Sequence, residues 1–259
     1  MPFAQLQDAR IHYDLIGPPN SPVLVFSNSL GTNFSMWDSQ VSALQKSFRV
    51  LRSDTRGHGQ SSSTPGPYSI EQLSKDLLFL LDSLQFDRVY FCGLSMGGMI
   101  GMWLSLNAPQ RLHKVVFCNT AAKIGTPEFW NPRIEKVLRG GMRSVSAAVI
   151  DRWFTPAYRS QFPDIVAATQ RMLESADPQG YVANCAAVRD FDARSAIPAI
   201  QIPTLIIAGT HDPATTVADA RFLNQQIKPS RLIELPASHL SNIEAAAAFN
   251  QELSSFLLS

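Results

Sequence analysis

Short apolar runs recur along the chain, and helical periodicity fills the gaps between them. The runs are Val23-Leu24-Val25-Phe26, Phe48-Arg49-Val50-Leu51, Val89-Tyr90-Phe91-Cys92, Val115-Val116-Phe117-Cys118, Leu205-Ile206-Ile207-Ala208 and Leu232-Ile233-Glu234-Leu235. Near-continuous apolar strands of this length predict a mostly parallel sheet covered by helices on both faces, an α/β architecture. Between them, Leu73, Leu77, Leu80, Leu81 and Leu84 fall on one helical face, and Ser69 with Gln72 reads as a capping box at its start. Phe249, Leu253, Phe256 and Leu257 do the same near the end of the chain. Ala4 to Gly17, with Ile11, Tyr13 and Leu15 alternating, predicts an antiparallel hairpin at the sheet edge, which brings the strand count to eight.

The alternation stops after Asn119. From about Lys123 to Asp192 no strand pattern occurs, and helix starts are marked by Pro127, by Pro163 after Phe162, and by Asp177-Pro178. Strand pattern returns at Ile202-Pro203-Thr204-Leu205. The expected organisation is a core of residues 1–122 and 199–259, interrupted by a helical cap over 123–198. Such a cap would lie over the carboxyl ends of the strands, where open α/β sheets place their sites.

One strand leads straight into chemistry. Cys92-Gly93-Leu94-Ser95-Met96-Gly97-Gly98 follows the Val89 run and opens a helix-like segment. Gly-x-Ser-x-Gly between strand and helix is a nucleophile elbow: the turn is too tight for side chains at its flanks, and it lifts the serine hydroxyl above the sheet. A dinucleotide loop is excluded, because Ser95 stands where that motif needs its second glycine. A serine needs a base to take its proton, and in this arrangement acid and histidine follow the serine in the chain. Of the five histidines, only His239 follows both a late strand and a plausible acid, Asp212 in Gly209-Thr210-His211-Asp212-Pro213. Asp54 precedes the serine and is read as a brace for its turn, while Asp190 and Asp192 are read as supporting groups near the site. The oxyanion of acyl transfer needs two backbone N–H donors. Met96, just after the nucleophile, and Leu30, in Ser27-Asn28-Ser29-Leu30-Gly31 after the first core strand, are the expected pair. Many hydrolases carry His-Gly in that loop, and here Asn28-Ser29 stands nearby.

Composition narrows the setting. In 259 residues, 22 basic and 21 acidic side chains give a formal charge of +1, which provides no general attraction to nucleic acid or membrane. No apolar run approaches the roughly 18 residues that span a bilayer. The start, Met1-Pro2-Phe3-Ala4-Gln5, lacks a signal-peptide pattern, so a cytoplasmic location is expected. Cys92, Cys118 and Cys185 are odd in number and without CxxC spacing, and are read as buried reduced thiols. There is no HExxH, Cys/His cluster or P-loop, so neither metal nor nucleotide is implied.

With these residues in hand, the chain resembles the 3-oxoadipate enol-lactonases of the α/β-hydrolase fold. The matching stretches run nearly end to end and include Ser29-Leu30-Gly31-Thr32, Asp54-Thr55-Arg56-Gly57-His58-Gly59, Gly93 to Met99 and Ala208 to Pro213. The more specific ones lie in the expected cap: Asn119-Thr120-Ala121-Ala122-Lys123-Ile124-Gly125, Arg152-Trp153-Phe154-Thr155 and Arg189-Asp190-Phe191-Asp192. The resemblance implies that Ser95 attacks a lactone carbonyl, with His239 as general base and Asp212 holding the imidazole. The implied partner is a small lactone carboxylate, without cofactor, nucleic acid or membrane. Its carboxylate should meet a cation. Trp130 and Arg133, three apart at a helix start, are expected on one face, with Arg133 on the carboxylate and Trp130 on the ring. Trp153 is a second aromatic candidate. A carbon–carbon bond hydrolase or carboxylesterase with the same triad, and a non-catalytic hydrolase-fold binding protein, remain alternatives. The sequence sets no oligomeric state.

Overall fold

The computed structural model describes residues 2–259 and contains one eight-stranded sheet. Its strands are β1 (Phe3–Gln5), β2 (Arg10–Ile16), β3 (Val23–Ser27), β4 (Arg49–Ser53), β5 (Val89–Leu94), β6 (Leu112–Cys118), β7 (Thr204–Gly209) and β8 (Ser230–Leu235). They are ordered β1-β2-β4-β3-β5-β6-β7-β8. From β4 to β8 every pairing is parallel, and the β1–β2 hairpin joins antiparallel at one edge. Every expected apolar run contains a strand, extended by a residue or more at one or both ends, except that Phe48 lies just before β4. The reason is visible in burial: β7 is buried along its whole length, as a strand covered on both faces must be.

Helices α1 (Asp38–Leu44), α2 (Ile70–Ser83) and α3 (Met96–Asn107) lie between the early strands, and α9 (Val217–Gln226), α10 (Ser241–Glu244) and α11 (Ala246–Leu258) among and after the last. Ser69 accepts the Gln72 N–H at 3.1 Å, as expected, but the return bond from the Gln72 side chain is not formed. The complete capping box is at α9, where Thr216 and Asp219 exchange bonds. Leu73, Leu77, Leu80 and Leu81 of α2 are buried, and so are Phe249, Leu253 and Leu257 of α11, with Phe256 partly buried.

Five consecutive helices separate β6 from β7: α4 (Pro127–Gly140), α5 (Arg143–Trp153), α6 (Pro156–Gln161), α7 (Pro163–Glu174) and α8 (Pro178–Asp190). Four of the five start on proline, whose fixed φ and missing N–H suit the first helical turn. Asp177 caps α8 as expected, and Thr155 caps α6, a start the sequence pattern did not single out. The three cysteines are free and buried. Among the described residues no helix is long and apolar enough to cross a membrane.

Strand order reverses around β3, with β4 on one side and β5 on the other. Such a switch opens a crevice beyond the carboxyl ends of the two strands. Ser27 to Gly31 leaves β3 there, and Ser95 leaves β5.

Candidate active site

Ser95 has φ 58° and ψ −113°, backbone angles that a residue with a side chain adopts only under constraint. The constraint comes from all sides. Ser95 N–H donates to Cys118 O at 2.9 Å, Gly97 N–H donates to Asn28 O at 3.0 Å, and Thr120 Oγ1 donates to Ser95 O at 2.8 Å. A Cβ on Gly93 would stand 2.2 Å from Gly97 O, and one on Gly97 would stand 2.2 Å from Ser27 O. The glycines of the elbow are therefore required by backbone approaching backbone.

Strands β6, β7 and β8 follow β5 in turn across the sheet, and the chain leaving their ends brings in the remaining groups. His239 Nδ1 lies 2.8 Å from Asp212 Oδ2. That same oxygen accepts Asn119 Nδ2–H at 3.0 Å and Thr215 Oγ1–H at 2.7 Å, while Oδ1 accepts the Ala214 and Thr215 N–H groups. Burial by itself would raise the Asp212 carboxyl. The neighbouring His239 charge and the hydrogen bonds from His239, Asn119 and Thr215 outweigh it and hold the group at about 2. Asp212 is thus a fixed anion that keeps Nδ1 of His239 occupied and turns Nε2 toward the cavity shared with Ser95. Between Ser95 Oγ and His239 no hydrogen bond is formed; a serine nucleophile and its base commonly sit further apart before substrate binds.

The other histidines are otherwise engaged. His12 Nδ1 lies 2.7 Å from Asp54 Oδ2, and Asp54 also accepts the Phe34 and Gln60 N–H groups, the bracing role expected of it. His58 Nε2 accepts Gly31 N–H at 2.8 Å, next to Leu30. Complete burial lowers His58 to about 4, so it stays neutral and can accept. Asn28 accepts Trp37 Nε1–H and donates to Ser53 O, fixing the other end of the same loop. Its flanks being held, the loop leaves the Leu30 N–H without a protein acceptor among the described residues, and the Met96 N–H is likewise free. Leu30 lines the cavity with Ser95; the Met96 side chain is turned wholly into the core.

The cavity over Ser95 has a volume of about 310 Å³, in the range that takes a small molecule. Trp130, Arg133 and Trp153 all line it, as do Phe129 and Arg152. Trp130 Nε1 donates to Ile124 O, which orients the ring. The Arg133 guanidinium lies 5.1 Å from the Trp130 ring and 5.4 Å from that of Tyr181, and donates to the Tyr181 hydroxyl. The expected single face for Trp130 and Arg133 is therefore formed. Arg152 belongs to a stretch that carries the resemblance but is not among the residues expected at the site. It lies over the Phe129 ring at 5.8 Å, and its proton affinity is lowered by burial and by the charge of Arg133. Apart from His239, the only ionisable side chains on the cavity wall are these two arginines. Asp190 and Asp192 do not reach the cavity: each closes on a near neighbour, Arg189 and Arg194, at the surface.

Comparisons with known proteins identify the family. A family model described as alpha/beta hydrolase fold matches residues 22–246. The 3-oxoadipate enol-lactonase 2 of Acinetobacter baylyi is 44% identical over 94% of this chain and 91% of its own length. The 3-oxoadipate enol-lactonase 1 of the same organism is 40% identical over 98% of this chain and 95% of its own. The crystal structure of the enol-lactonase from Burkholderia xenovorans covers both chains completely, with 47% identity and a TM-score of 0.98. With the family model and these relatives together, the chain belongs to the alpha/beta-hydrolase fold family and, within it, to the 3-oxoadipate enol-lactonases.

Proposed function

We propose that this protein hydrolyses 3-oxoadipate enol-lactone to 3-oxoadipate, with Ser95 as nucleophile, His239 as general base and Asp212 as its orienting anion. The observation that carries the substrate is the cavity wall: over a nucleophilic serine it offers aromatic rings and two guanidinium groups, and no carboxylate. Such a wall selects a flat anion. The two relatives named 3-oxoadipate enol-lactonase supply the identity of that anion.

In this mechanism Ser95 Oγ adds to the lactone carbonyl as its proton passes to His239 Nε2. The tetrahedral oxyanion is met by the N–H groups of Leu30 and Met96. Collapse breaks the ring ester bond. The enol oxygen leaves, takes the proton from His239, and the enol becomes a ketone. Water, deprotonated by His239, then hydrolyses the acyl-enzyme and returns Ser95. No step calls on a cofactor. Arg133 and Arg152 hold the substrate carboxylate, and Trp130 and Trp153 pack on the ring. Residues 123–198 act as the cap, bringing Trp130, Arg133, Arg152 and Trp153 over the elbow and keeping bulk water from the ring.

The test is loss of enol-lactone absorbance on adding purified protein, beside Ser95→Ala. Rapid loss with the wild type and none with the variant is the expected result. Ser95-dependent hydrolysis of p-nitrophenyl acetate without any action on the enol-lactone would keep the nucleophile and discard the substrate.

A further inference from the structure

The loop that carries His239 is fastened to the chain leaving α5. Ser238 Oγ donates to Arg152 O at 2.7 Å, and Leu240 N–H donates to Trp153 O at 3.1 Å. One carboxylate closes the joint. Glu244, in α10 just beyond the loop, accepts Ser238 N–H on Oε2 at 2.8 Å. On Oε1 it accepts Thr155 N–H at 3.1 Å and the Thr155 hydroxyl. Thr155 and Glu244 are 89 positions apart in sequence. Their joint has His239 next to one end, and Arg152 and Trp153, both on the cavity wall, next to the other.

Each group facing Glu244 in this joint is a neutral donor, and two are backbone N–H groups with fixed directions. Hydrogen bonds of that kind to an ionised carboxylate are shorter and stronger than neutral ones. An amide in its place would turn an NH₂ group against one of the donors and leave it unpaired. A carboxylate is therefore specifically suited to the joint.

We infer that Glu244 is a positioning residue, locking the His239 loop to the Arg152–Trp153 wall so that grip on the substrate carboxylate and placement of the general base form one rigid unit. This rests on the triad reading above and deepens it. A base displaced by about an ångström loses much of its effectiveness, and a wall free to shift relaxes its hold on an anion. Both should follow from losing the one carboxylate.

The experiment compares Glu244→Gln and Glu244→Ala with the wild type on two esters. One is the enol-lactone, which carries a carboxylate; the other is p-nitrophenyl acetate, which does not. Both variants should lower kcat on both esters by about tenfold or more, through the loosened base. KM should rise several-fold for the lactone alone, on the order expected when a charge-assisted contact is weakened. Near-ultraviolet circular dichroism checks that each variant is folded. If Glu244→Ala does not fold, Glu244→Gln, of the same shape, decides. A folded Glu244→Gln whose kcat and lactone KM stay within about twofold of wild type overturns the inference, even if its melting temperature falls. Ser95→Ala separates the two levels. If ester turnover survives that change, the triad reading fails and takes the inference with it. If only p-nitrophenyl acetate is turned over, its kcat decides alone.

Discussion

Asn119, leaving β6, reaches Asp212 beyond the neighbouring β7, its Nδ2 lying 3.0 Å from Asp212 Oδ2 and 3.1 Å from Ser238 O. Its own Oδ1 accepts the Ser241 hydroxyl, and its backbone is held at φ 42°. One amide thus orients the acid and both sides of the loop that carries the base. Asn119→Ala removes the amide and leaves the acid with fewer donors. We expect kcat to fall about ten- to hundredfold with KM nearly constant, the equivalent of one to two strong hydrogen bonds. Asp212→Asn, which disturbs the imidazole tautomer, should cost far more, roughly four orders of magnitude in kcat. Steady-state kinetics of both variants check the ranking, and an Asn119→Ala enzyme as active as wild type would remove Asn119 from the machinery.

Arg133 and Arg152 make opposite demands on their surroundings. Arg133 is sandwiched between Trp130 and Tyr181 and already donates to a hydroxyl, while Arg152 has no ion-pair partner among the described residues. Replacing either by alanine should raise KM for the lactone by roughly tenfold or more, with much smaller change in kcat. Turnover of p-nitrophenyl acetate should be spared in both. A lactone KM that responds to Arg133→Ala and not to Arg152→Ala would place the carboxylate on Arg133 alone.

His58 ties the loop that carries Leu30 and Gly31 to pH. Its ordinary value is 6.5, and burial takes it to about 4 in the folded chain. Between those values the unfolded chain binds a proton that the folded chain refuses, so stability falls as pH falls. The contribution of neutral His58 is complete above about pH 6.5 and is lost on the way to pH 4, on the order of 3 kcal/mol over the window. Asp212, lowered to about 2, adds its own loss only further down, below about pH 4. Thermal unfolding at pH 7 and pH 5 should show a smaller drop for His58→Gln, whose amide oxygen can still accept the Gly31 N–H. Parallel curves for the two proteins would assign the acid sensitivity elsewhere.

Gly97→Ala offers a stability test of the elbow. The added methyl meets the Ser27 carbonyl at 2.2 Å, backbone against backbone, with no flexible side chain to move aside. Destabilisation of several kcal/mol is expected, the range of severe overpacking, and should appear as a melting temperature lowered by 10 °C or more, at about 2–4 °C per kcal/mol for a chain of this size. A soluble, active Gly97→Ala protein with unchanged melting would mean that the turn can open without loss.

Much of this architecture is legible in the sequence, because it is written in short-range patterns. Six apolar runs mark six strands, Gly93 to Gly97 marks the elbow, and chain order selects His239 over His12, His58, His113 and His211. Arg152 is not legible: it is one arginine among several in the helical segment, and only packing turns it into the cavity. Asn119, Thr215 and Glu244 are equally silent. Their partners lie up to 122 positions away, and no periodicity announces a side chain that bonds across strands. Asp190 and Asp192 show the opposite error. Acidic residues near the site in sequence satisfy themselves on adjacent arginines and never approach it.

The groups of the site hang from the ends of four neighbouring strands, taken in the same order along the sheet as along the chain: Ser95 after β5, Asn119 after β6, Asp212 after β7 and His239 after β8. β8 is also the far edge of the sheet. A growing polypeptide therefore exposes the proposed nucleophile, Ser95, long before it contains the proposed base, His239. Domains made on the ribosome begin to organise from the amino end, and on the proposed mechanism a product that stops before His239 should be chemically mute. Turnover should then arrive only after the last strand docks, so the onset of ester cleavage during synthesis would be a clock for completion of the sheet.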